Sequence, residues 1–179
     1  RAQEIFTQVV EKTQVPVVTT VMGRGAISTK NPLFIGNLGM HGAYAANMAV
    51  NECDLLFSIG TRFNDRITGK LHEFAPHAQI VHIDIDTASI SRNIAVDIPI
   101  VADAGAAIRA LLEKAVLLDT GAWRKQIDGW KEARPITMKR EGLTAESVIR
   151  SINRLEGPLF VATDVGQNQL WATQFLELS

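Results

Sequence analysis

The apolar positions of the chain fall into short runs of strand length and longer stretches with helical spacing. The run 54–60 is almost continuously apolar, which is typical of a strand buried on both faces. Ile5 and Val9 lie one helical turn apart in an opening amphipathic segment. The whole pattern predicts strands at 15–22, 54–60, 79–86, 97–102 and 159–162, helices at 3–13, 43–53, 104–118, 120–134 and 144–157, and loop-like sequence at 26–42.

Strands and helices alternate along most of the chain, which predicts an α/β fold: a Rossmann-like parallel sheet with helices on both faces. Thr87 is placed to cap a short helix within this pattern. Pro135 ends one helical segment, and Thr144 and Ser147 open a new one. We therefore predict one domain at 1–134, a linker at 135–142, and the beginning of a further α/β domain at 143–179.

The balance of positive and negative residues indicates which classes of partner the chain could bind. Lys and Arg number 18 against 19 Asp and Glu, for a net charge of −1 without any run of like charge. This excludes the electrostatic footprint of a nucleic-acid or anionic-membrane binder and favours small-molecule partners. A lone Cys53 excludes an internal disulfide and predicts a reducing compartment, the cytoplasm. No apolar stretch approaches the roughly 20 residues of a membrane span.

The histidines do not form a metal site by spacing. His72, His77 and His82 are each five residues apart, so neighbours point to different faces of either a helix or a strand. No H-E-x-x-H motif occurs in the chain. We predict no metal bound by this chain alone.

The stretch "GRGAIS" at 23–28 nearly matches the dinucleotide fingerprint G-x-G-x-x-G. Ser28 replaces its third glycine, and Pro32 interrupts the helix that should receive a pyrophosphate. A plain dehydrogenase is therefore disfavoured. Glycines required by a turn at a strand end account better for this stretch alone.

Charged residues follow several of the predicted strands. Asp84 and Asp86 lie two apart, so a strand would project both carboxylates from one face. In a parallel sheet such carboxylates commonly accept hydrogen bonds from ribose hydroxyls, although acid–base chemistry, a divalent ion or helix capping remain alternatives. Asp103 adds an acceptor after the next strand. Arg62 and Arg66 suit a phosphate or carboxylate, or form surface ion pairs.

Three blocks of sequence closely resemble one known family. They are "GNLGMHGAYAANMAVNECDLLFSIGTRFNDRITGKL", "AQIVHIDIDTASISRN" and "TDVGQNQLWATQ", in this order along nearly the whole chain. The resemblance is to the catalytic subunit of the acetohydroxyacid synthase (acetolactate synthase) family, among the thiamine-diphosphate enzymes. It implies that 1–134 is most of a central FAD-binding domain and that 143–179 opens the thiamine-diphosphate domain.

The resemblance also implies roles for individual residues. Those that would line FAD are Thr20, Val21, Met40, His41, Gly42, Gly60, Arg62, Asp84, Ile85 and Asp103. Those that would border the channel where inhibitors of this family bind are Met40, His41, Asp65 and Arg66. Those that would meet the thiamine diphosphate are Val165, Gly166, Gln167 and Asn168. The family usually has His at position 168, and an amide can donate to phosphate but cannot become cationic.

By the same resemblance, the parent enzyme would decarboxylate pyruvate on thiamine diphosphate. It would then condense the product with pyruvate or 2-oxobutanoate, in branched-chain amino-acid biosynthesis. Its cofactors would be FAD, thiamine diphosphate and Mg²⁺, and its partners further copies of itself and a regulatory small subunit. The alternatives are another thiamine-diphosphate enzyme, in which the FAD domain is an ADP sensor or redox centre, and a stand-alone nucleotide-binding or regulatory module.

The resemblance predicts that this chain is a portion of a larger enzyme. It starts at Arg1 within an amphipathic helix, and the residues that activate thiamine diphosphate and hold Mg²⁺ in the family are not in it. We expect no catalysis by this chain alone and no catalytic residue within it. Leu170, Trp171 and Phe175 form an apolar stripe whose partner domain is expected to be missing, so 164–179 is predicted to be poorly ordered or packed non-natively.

Overall fold

Helices and strands alternate in the computed structural model, which describes residues 2–138, 141–157 and 159–178. Five residues lie outside these ranges: Arg1, Lys139, Arg140, Pro158 and Ser179. They include the first residue of the predicted domain 1–134, two residues of the predicted linker, and the last residue of the predicted domain 143–179. The elements in chain order are α1 (Ala2–Thr13), β1 (Val17–Thr19), β2 (Phe34–Asn37), α2 (Tyr44–Glu52), β3 (Leu55–Ile59), α3 (Asp65–Thr68), a 3₁₀ turn (Leu71–Glu73), β4 (Gln79–Asp84), β5 (Ile98–Val101), α4 (Ala104–Lys114), α5 (Gly121–Ala133), α6 (Ala145–Ile152) and α7 (Gln167–Phe175).

All of these strands pair in parallel. β1 pairs with β2, and β4 lies between β3 and β5 in a second sheet. Within the described residues the two sheets are not hydrogen-bonded to each other. The predicted α/β class with parallel strands is confirmed, although the single predicted sheet is divided in two.

Helices cover both faces of the first sheet. Phe34 packs against the cluster that contains Val10 of α1, and the next residue, Ile35, packs against the cluster that contains Ala49 of α2 and Ile127 of α5. Consecutive strand residues point to opposite faces, so α1 lies on one face and the α2–α5 pair on the other. The predicted two-sided cover is confirmed for this sheet.

The second sheet has its core in β4. Residues 80–83 are all buried, as expected for a central strand covered on both faces. β3 had been predicted to be buried on both faces, and this is wrong: Leu55 is 52% exposed and Phe57 36%. β3 lies at the edge of its sheet, and these two residues share a face that the described chain leaves uncovered.

Three predicted elements differ from the structure. The segment 26–42, expected to be loop, contains β2, a strand too short to show a period. Residues 159–162 form no strand, and Phe160 is 96% exposed, because no described strand lies beside them to pair with. Thr87 caps no helix: Asp86 accepts hydrogen bonds from the Ala88 amide (3.0 Å) and the Ser89 hydroxyl (3.1 Å), which stabilises a turn instead.

The carboxyl-terminal helices pack on the rest of the chain. Thr144 and Ser147 form the predicted start of α6 as a reciprocal capping box. Phe175 is buried in a cluster with Ile149, and the Asn37 side-chain amide of β2 donates to the Thr173 carbonyl at 3.0 Å. The expectation of poor order differs from the structure up to Leu178, because β2 and α6 supply the surface that α7 covers. The alternative, that the segment is packed non-natively, stays a prediction. The domain boundary at 135–142 stays a prediction.

Candidate functional site

The residues that the resemblance assigns to FAD all follow the carboxyl ends of strands. Gly60 follows β3, Asp84 ends β4, and Asp103 follows β5, so the parallel order of these strands brings the three to one sheet edge. The pairing continues past the strands, because the Gly60 amide donates to the Ile83 carbonyl at 2.8 Å. Thr20 and Val21 follow β1, Met40, His41 and Gly42 follow β2, Arg62 follows β3, and Ile85 follows β4.

Asp84 and Asp86 occupy different environments. The predicted strand 79–86 ends at Asp84, so the two carboxylates do not project together from one strand. Asp84 Oδ1 accepts from the Asp86 amide at 2.9 Å, and its side chain is only 12% exposed. Both carboxylate oxygens of Asp86 accept hydrogen bonds within its own turn. Asp84 is therefore the carboxylate at the strand end that a ligand could meet, and Asp86 holds the turn.

Asp103 is a helix cap. Its Oδ1 accepts from the Ala106 amide at 2.9 Å at the start of α4. The capping alternative left open by the sequence is therefore confirmed for this residue. Asp103 is nevertheless exposed, so a carboxylate that caps a helix can also face a ligand.

The loop after β2 is fixed on the short helix α3. The Met40 amide donates to the Arg66 carbonyl at 2.8 Å, and Arg66 Nη1 lies 4.0 Å from Met40 Sδ. Asn47 of α2 holds the same loop by exchanging two hydrogen bonds with the backbone of Gly39, at 2.9 and 3.0 Å. Met40, Asp65 and Arg66, which the resemblance assigns to a channel, thus line one cleft of about 410 Å³.

The arginines of this region are exposed to solvent. The Arg66 guanidinium Nε lies 4.0 Å from Asp65 Oδ2, a weak surface pair. The Arg62 backbone carbonyl accepts from the Asn93 side chain at 2.9 Å, which ties the turn after β4 to the loop after β3. The Arg62 side chain is exposed beside that tie.

The glycines of "GRGAIS" form a turn. The Gly23 amide donates to the Thr20 carbonyl at 3.0 Å and to its hydroxyl at 3.1 Å. Gly25 has φ of +88°, which favours glycine. The interpretation of this stretch as a strand-end turn is confirmed.

The predicted thiamine-diphosphate stretch lies at the start of α7. Val165, Gly166, Gln167 and Asn168 are all exposed. Gly166 precedes the helix with φ of +150°, a conformation that disfavours residues with a Cβ. The first amides of α7 are therefore presented to solvent, an arrangement that suits an anion.

α7 connects this stretch to the loop after β2. The Gln174 side-chain amide donates to the His41 carbonyl at 3.0 Å, near the other end of the helix. Arg24 donates to the Leu176 carbonyl just beyond it. Helix α7 thus begins at the predicted thiamine-diphosphate residues and contacts the predicted channel residue His41 near its other end.

His82 of β4 lies two residues before Asp84 on the same strand and was not among the residues predicted for the site. It is fully buried, and its ring meets the Phe63 ring edge to face with centroids 5.1 Å apart. Burial lowers the pKa of His82, while the Asp84 carboxylate and the Thr61 backbone oppose that shift without cancelling it. The apolar flanks in "IVHID" were the available signal, because a strand buried on both faces must also bury its histidine.

The protein should lose stability in acid as His82 is protonated. The unfolded chain binds this proton near pH 6.5, and the folded chain only at lower pH, so the unfolded state holds more protons between the two values. The free energy of unfolding should therefore fall as the pH drops below about 6.5 and level off below the folded-state pKa. Urea unfolding at pH 7.5, 6.0 and 5.0 measures this. His77→Gln, at an exposed position, should keep the loss, whereas His82→Gln should reduce it.

The described ranges contain neither a metal-ligand cluster nor a membrane-spanning helix. No group of three His, Cys, Asp or Glu side chains there is arranged to hold a metal ion. None of the helices in those ranges combines the length and apolarity needed to cross a membrane.

The sequence is similar to a known protein family and to individual members of it. A family profile described as "Thiamine pyrophosphate enzyme, central domain" matches residues 1–111. The acetolactate synthase large subunit of Cyanidium caldarium is 42% identical over 187 residues, covering 99% of this chain and 32% of that protein. The proteins of the same name in Parasynechococcus marenigrum and Lactococcus lactis are 41% and 38% identical, covering 98% and 96% of this chain. The chain spans about a third of the length of these relatives.

Proposed function

The chain belongs to the thiamine pyrophosphate enzyme family through its central domain, and we propose that it is the FAD-binding part of an acetolactate synthase large subunit. The observation that carries this proposal is the edge formed by β3, β4 and β5. There a glycine with φ of +64° and two carboxylates follow three adjacent parallel strands. Open parallel sheets bind nucleotides at that edge, and the three relatives named above carry the synthase name.

FAD fits the residues at this edge. A Cβ added to Gly60 would meet no atom within 4 Å, so the backbone is open to close approach by a ligand. Asp84 is suited to accept from ribose hydroxyls, and the exposed Arg62 is suited to a phosphate. Met40, His41 and Gly42 would bring the loop after β2 against the same ligand, and Asp65 and Arg66 would border the approach to it.

The strand order is consistent with a nucleotide-binding sheet. Across a doubly wound sheet the strands, numbered along the chain, lie in the order 3-2-1-4-5-6. In that numbering β2 would be strand 3, β1 would be strand 2, and β3, β4 and β5 would be strands 4, 5 and 6. Strand 1 would lie between β1 and β3, where the described residues contain no strand. We propose that another segment of a longer chain pairs there, which would join the two sheets into one.

The start of α7 would bind the diphosphate of thiamine diphosphate. The exposed backbone amides of Gly166 to Asn168 fit a phosphate group at a helix amino terminus, and Gly166 lets the backbone turn there. The Val165 amide donates to Asp164 Oδ1 at 2.7 Å, so Val165 would meet the ligand through its side chain. Thiamine diphosphate would supply a carbanion equivalent for 2-oxo acids, and the protein ligands of its Mg²⁺ would come from another part of the enzyme. The role of this chain is to orient the diphosphate. Asn168 would donate a neutral hydrogen bond to it.

The remaining parts of the proposal concern the whole enzyme. Its substrates would be pyruvate and 2-oxobutanoate, and the words "large subunit" in the names of the relatives favour a smaller regulatory partner. Exposed apolar side chains at 159–165 favour contact with further copies or domains. The compartment would be the cytoplasm.

Product analysis tests the proposed activity. The protein encoded by the complete reading frame should form acetolactate from pyruvate when thiamine diphosphate, Mg²⁺ and FAD are supplied. The 179-residue chain alone should form none under the same conditions. A different product from the long protein would favour another thiamine-diphosphate enzyme. Nucleotide binding without turnover by that protein would favour a binding module.

Asp84→Ala should weaken FAD binding by about 10- to 100-fold, because a hydrogen bond to a charged group contributes about 1.5–3 kcal/mol. Fluorescence titration with FAD of the protein encoded by the complete reading frame measures the change. Asp86→Ala is the matched control, since it lies in the same turn but bonds only within it. Equal losses in both variants would assign the effect to the turn and refute a ribose contact at Asp84.

A further inference from the structure

The His82 side chain is enclosed in the second sheet without a hydrogen bond of good geometry. It is 0% exposed, and neither Nδ1 nor Nε2 forms a hydrogen bond of good geometry within the described residues, although the Thr61 backbone lies near enough to favour the charged ring. The Ser58 hydroxyl, on the residue paired with His82 across β3 and β4, has no hydrogen-bond partner there. Buried polar groups are nearly always paired, so a site that leaves a histidine and a serine unpaired requires an explanation.

The groups around His82 leave Asp84 as the charged neighbour that acts on it. Ser58 lies beside it on β3, Pro99 beside it on β5, and Phe63 covers its ring. Ser58, Pro99 and Phe63 are uncharged. Nε2 of His82 lies 3.8 Å from Asp84 Oδ2, about 0.6 Å beyond the upper end of the ordinary N–H···O range. Strand alternation places both side chains on the same face of β4.

The two oxygens of Asp84 therefore face different partners. Oδ1 is fixed by the Asp86 amide at 2.9 Å, and Oδ2 lies toward His82. An imidazole with its proton on Nε2 directs that proton at Oδ2, while the carboxylate keeps its negative charge. The Asp86 amide holds the Oδ1 side of the carboxylate by a hydrogen bond, and the Oδ2 side faces His82 Nε2 across 3.8 Å.

We propose that His82 is a positioning residue for the FAD site, acting through Asp84: the neutral imidazole holds the carboxylate in the orientation that accepts the ribose hydroxyls. This inference rests on the proposed FAD function. It assigns His82 no contact with the ligand, because the ring is buried beneath Phe63. It gives the buried, unpaired imidazole a role at the strand end.

Protonation of His82 converts this arrangement into a buried ion pair. The imidazolium neutralises the Asp84 charge and draws Oδ2 toward the sheet, so the carboxylate competes less well for ribose hydroxyls. FAD affinity should therefore fall as the pH drops through the folded-state pKa of His82, which burial places below 6.5, and the full loss should be reached only below that pKa. Desolvation favours the neutral ring at neutral pH, which is where the site should bind best.

The coupling between His82 and Asp84 can be measured without FAD. The pKa of the His82 ring is followed by NMR titration in the full chain, with His82→Gln identifying its signals. Asp84→Asn keeps an acceptor for the Asp86 amide but removes the charge, so the pKa of His82 should fall further. His72→Gln, on a side chain that is 80% exposed, should leave it unchanged. An unchanged pKa of His82 in Asp84→Asn overturns the proposal.

FAD titrations of the protein encoded by the complete reading frame, at pH 8.0 and at a pH below the His82 pKa that the NMR titration gives, test the effect on the ligand. His82→Gln provides a neutral donor, so it should bind within about threefold of the unmodified protein at pH 8.0 and lose the acid dependence. His82→Leu should bind more weakly at both pH values. The same acid loss in His82→Gln, or unchanged binding by His82→Leu, overturns the proposal. Circular dichroism checks that each variant is folded, and His82→Gln decides alone if His82→Leu is not.

The two proposals fail in different ways. If the unmodified protein encoded by the complete reading frame binds no FAD at either pH, the FAD part of the proposed function is refuted. The NMR titration then still decides whether His82 and Asp84 are coupled. If FAD binds and the NMR coupling is absent, the proposed function stands and the role of His82 does not.

Discussion

Gly39→Ala should lower the free energy of unfolding by about 2–5 kcal/mol, the sum of a strained backbone and a steric overlap. Gly39 has φ of +109°, which disfavours any residue with a Cβ. A Cβ built there would lie 2.6 Å from the Arg66 carbonyl oxygen, and backbone cannot move away as a flexible side chain would. The substitution should therefore separate the loop after β2 from α3.

Gly25→Ala is the matched control for Gly39→Ala. Gly25 also has positive φ, at +88°, but a Cβ there would meet no heavy atom within 4 Å. It should cost only the conformational part, about 1–2 kcal/mol. Urea unfolding of both variants measures the difference, which reports the close approach of the loop to Arg66. Equal losses in the two variants would contradict that close approach.

The sequence predicted that carboxylates lie at the strand ends, but not whether each one caps a helix or faces a ligand. Asp84 and Asp103 both follow apolar strands, and this pattern fits a ligand contact and a helix cap equally well. The structure separates them, because the amide of Ala106 reaches Asp103 across the first turn of α4, whereas Asp84 closes a turn with Asp86. Whether a carboxylate caps a helix depends on the backbone path of the residues that follow it. The local sequence pattern does not determine that path.

The missed strand β2 shows the same limit for the fold. Phe34 to Asn37 has four residues, includes a glycine, and follows Pro32, so periodicity could not identify it. It is a strand because β1 lies beside it and α1 and α2 cover its faces. The opposite error occurred at 159–162, where a strand-like pattern found no neighbouring strand in the described chain. In both segments, the presence or absence of a neighbouring strand determined whether a strand formed, and this is a non-local property.

Phe63→Ala should destabilise the protein by about 3–5 kcal/mol, the usual cost of removing a buried aromatic ring. Phe63 is 3% exposed and contacts the rings of both His82 and Phe74, with centroids 5.1 and 5.9 Å apart. Its φ of +48° is unusual for a bulky residue, so packing must hold the backbone there. Phe160→Ala removes the same ring from a position that is 96% exposed and should change stability by less than about 0.5 kcal/mol.

The loss at Phe63 should also change the response to acid. Without the ring, water reaches His82 and weakens the desolvation that lowers its pKa, so the folded-state value should rise toward 6.5. A smaller difference between folded and unfolded pKa means that less stability is lost as the pH falls. The drop in unfolding free energy between pH 7.5 and 5.0 should therefore be smaller in Phe63→Ala than in the unmodified chain. Phe63→Leu keeps most of the cover over His82, so it should retain most of the stability and most of the acid dependence. An acid dependence in Phe63→Ala as large as that of the unmodified chain would show that Phe63 does not shield His82.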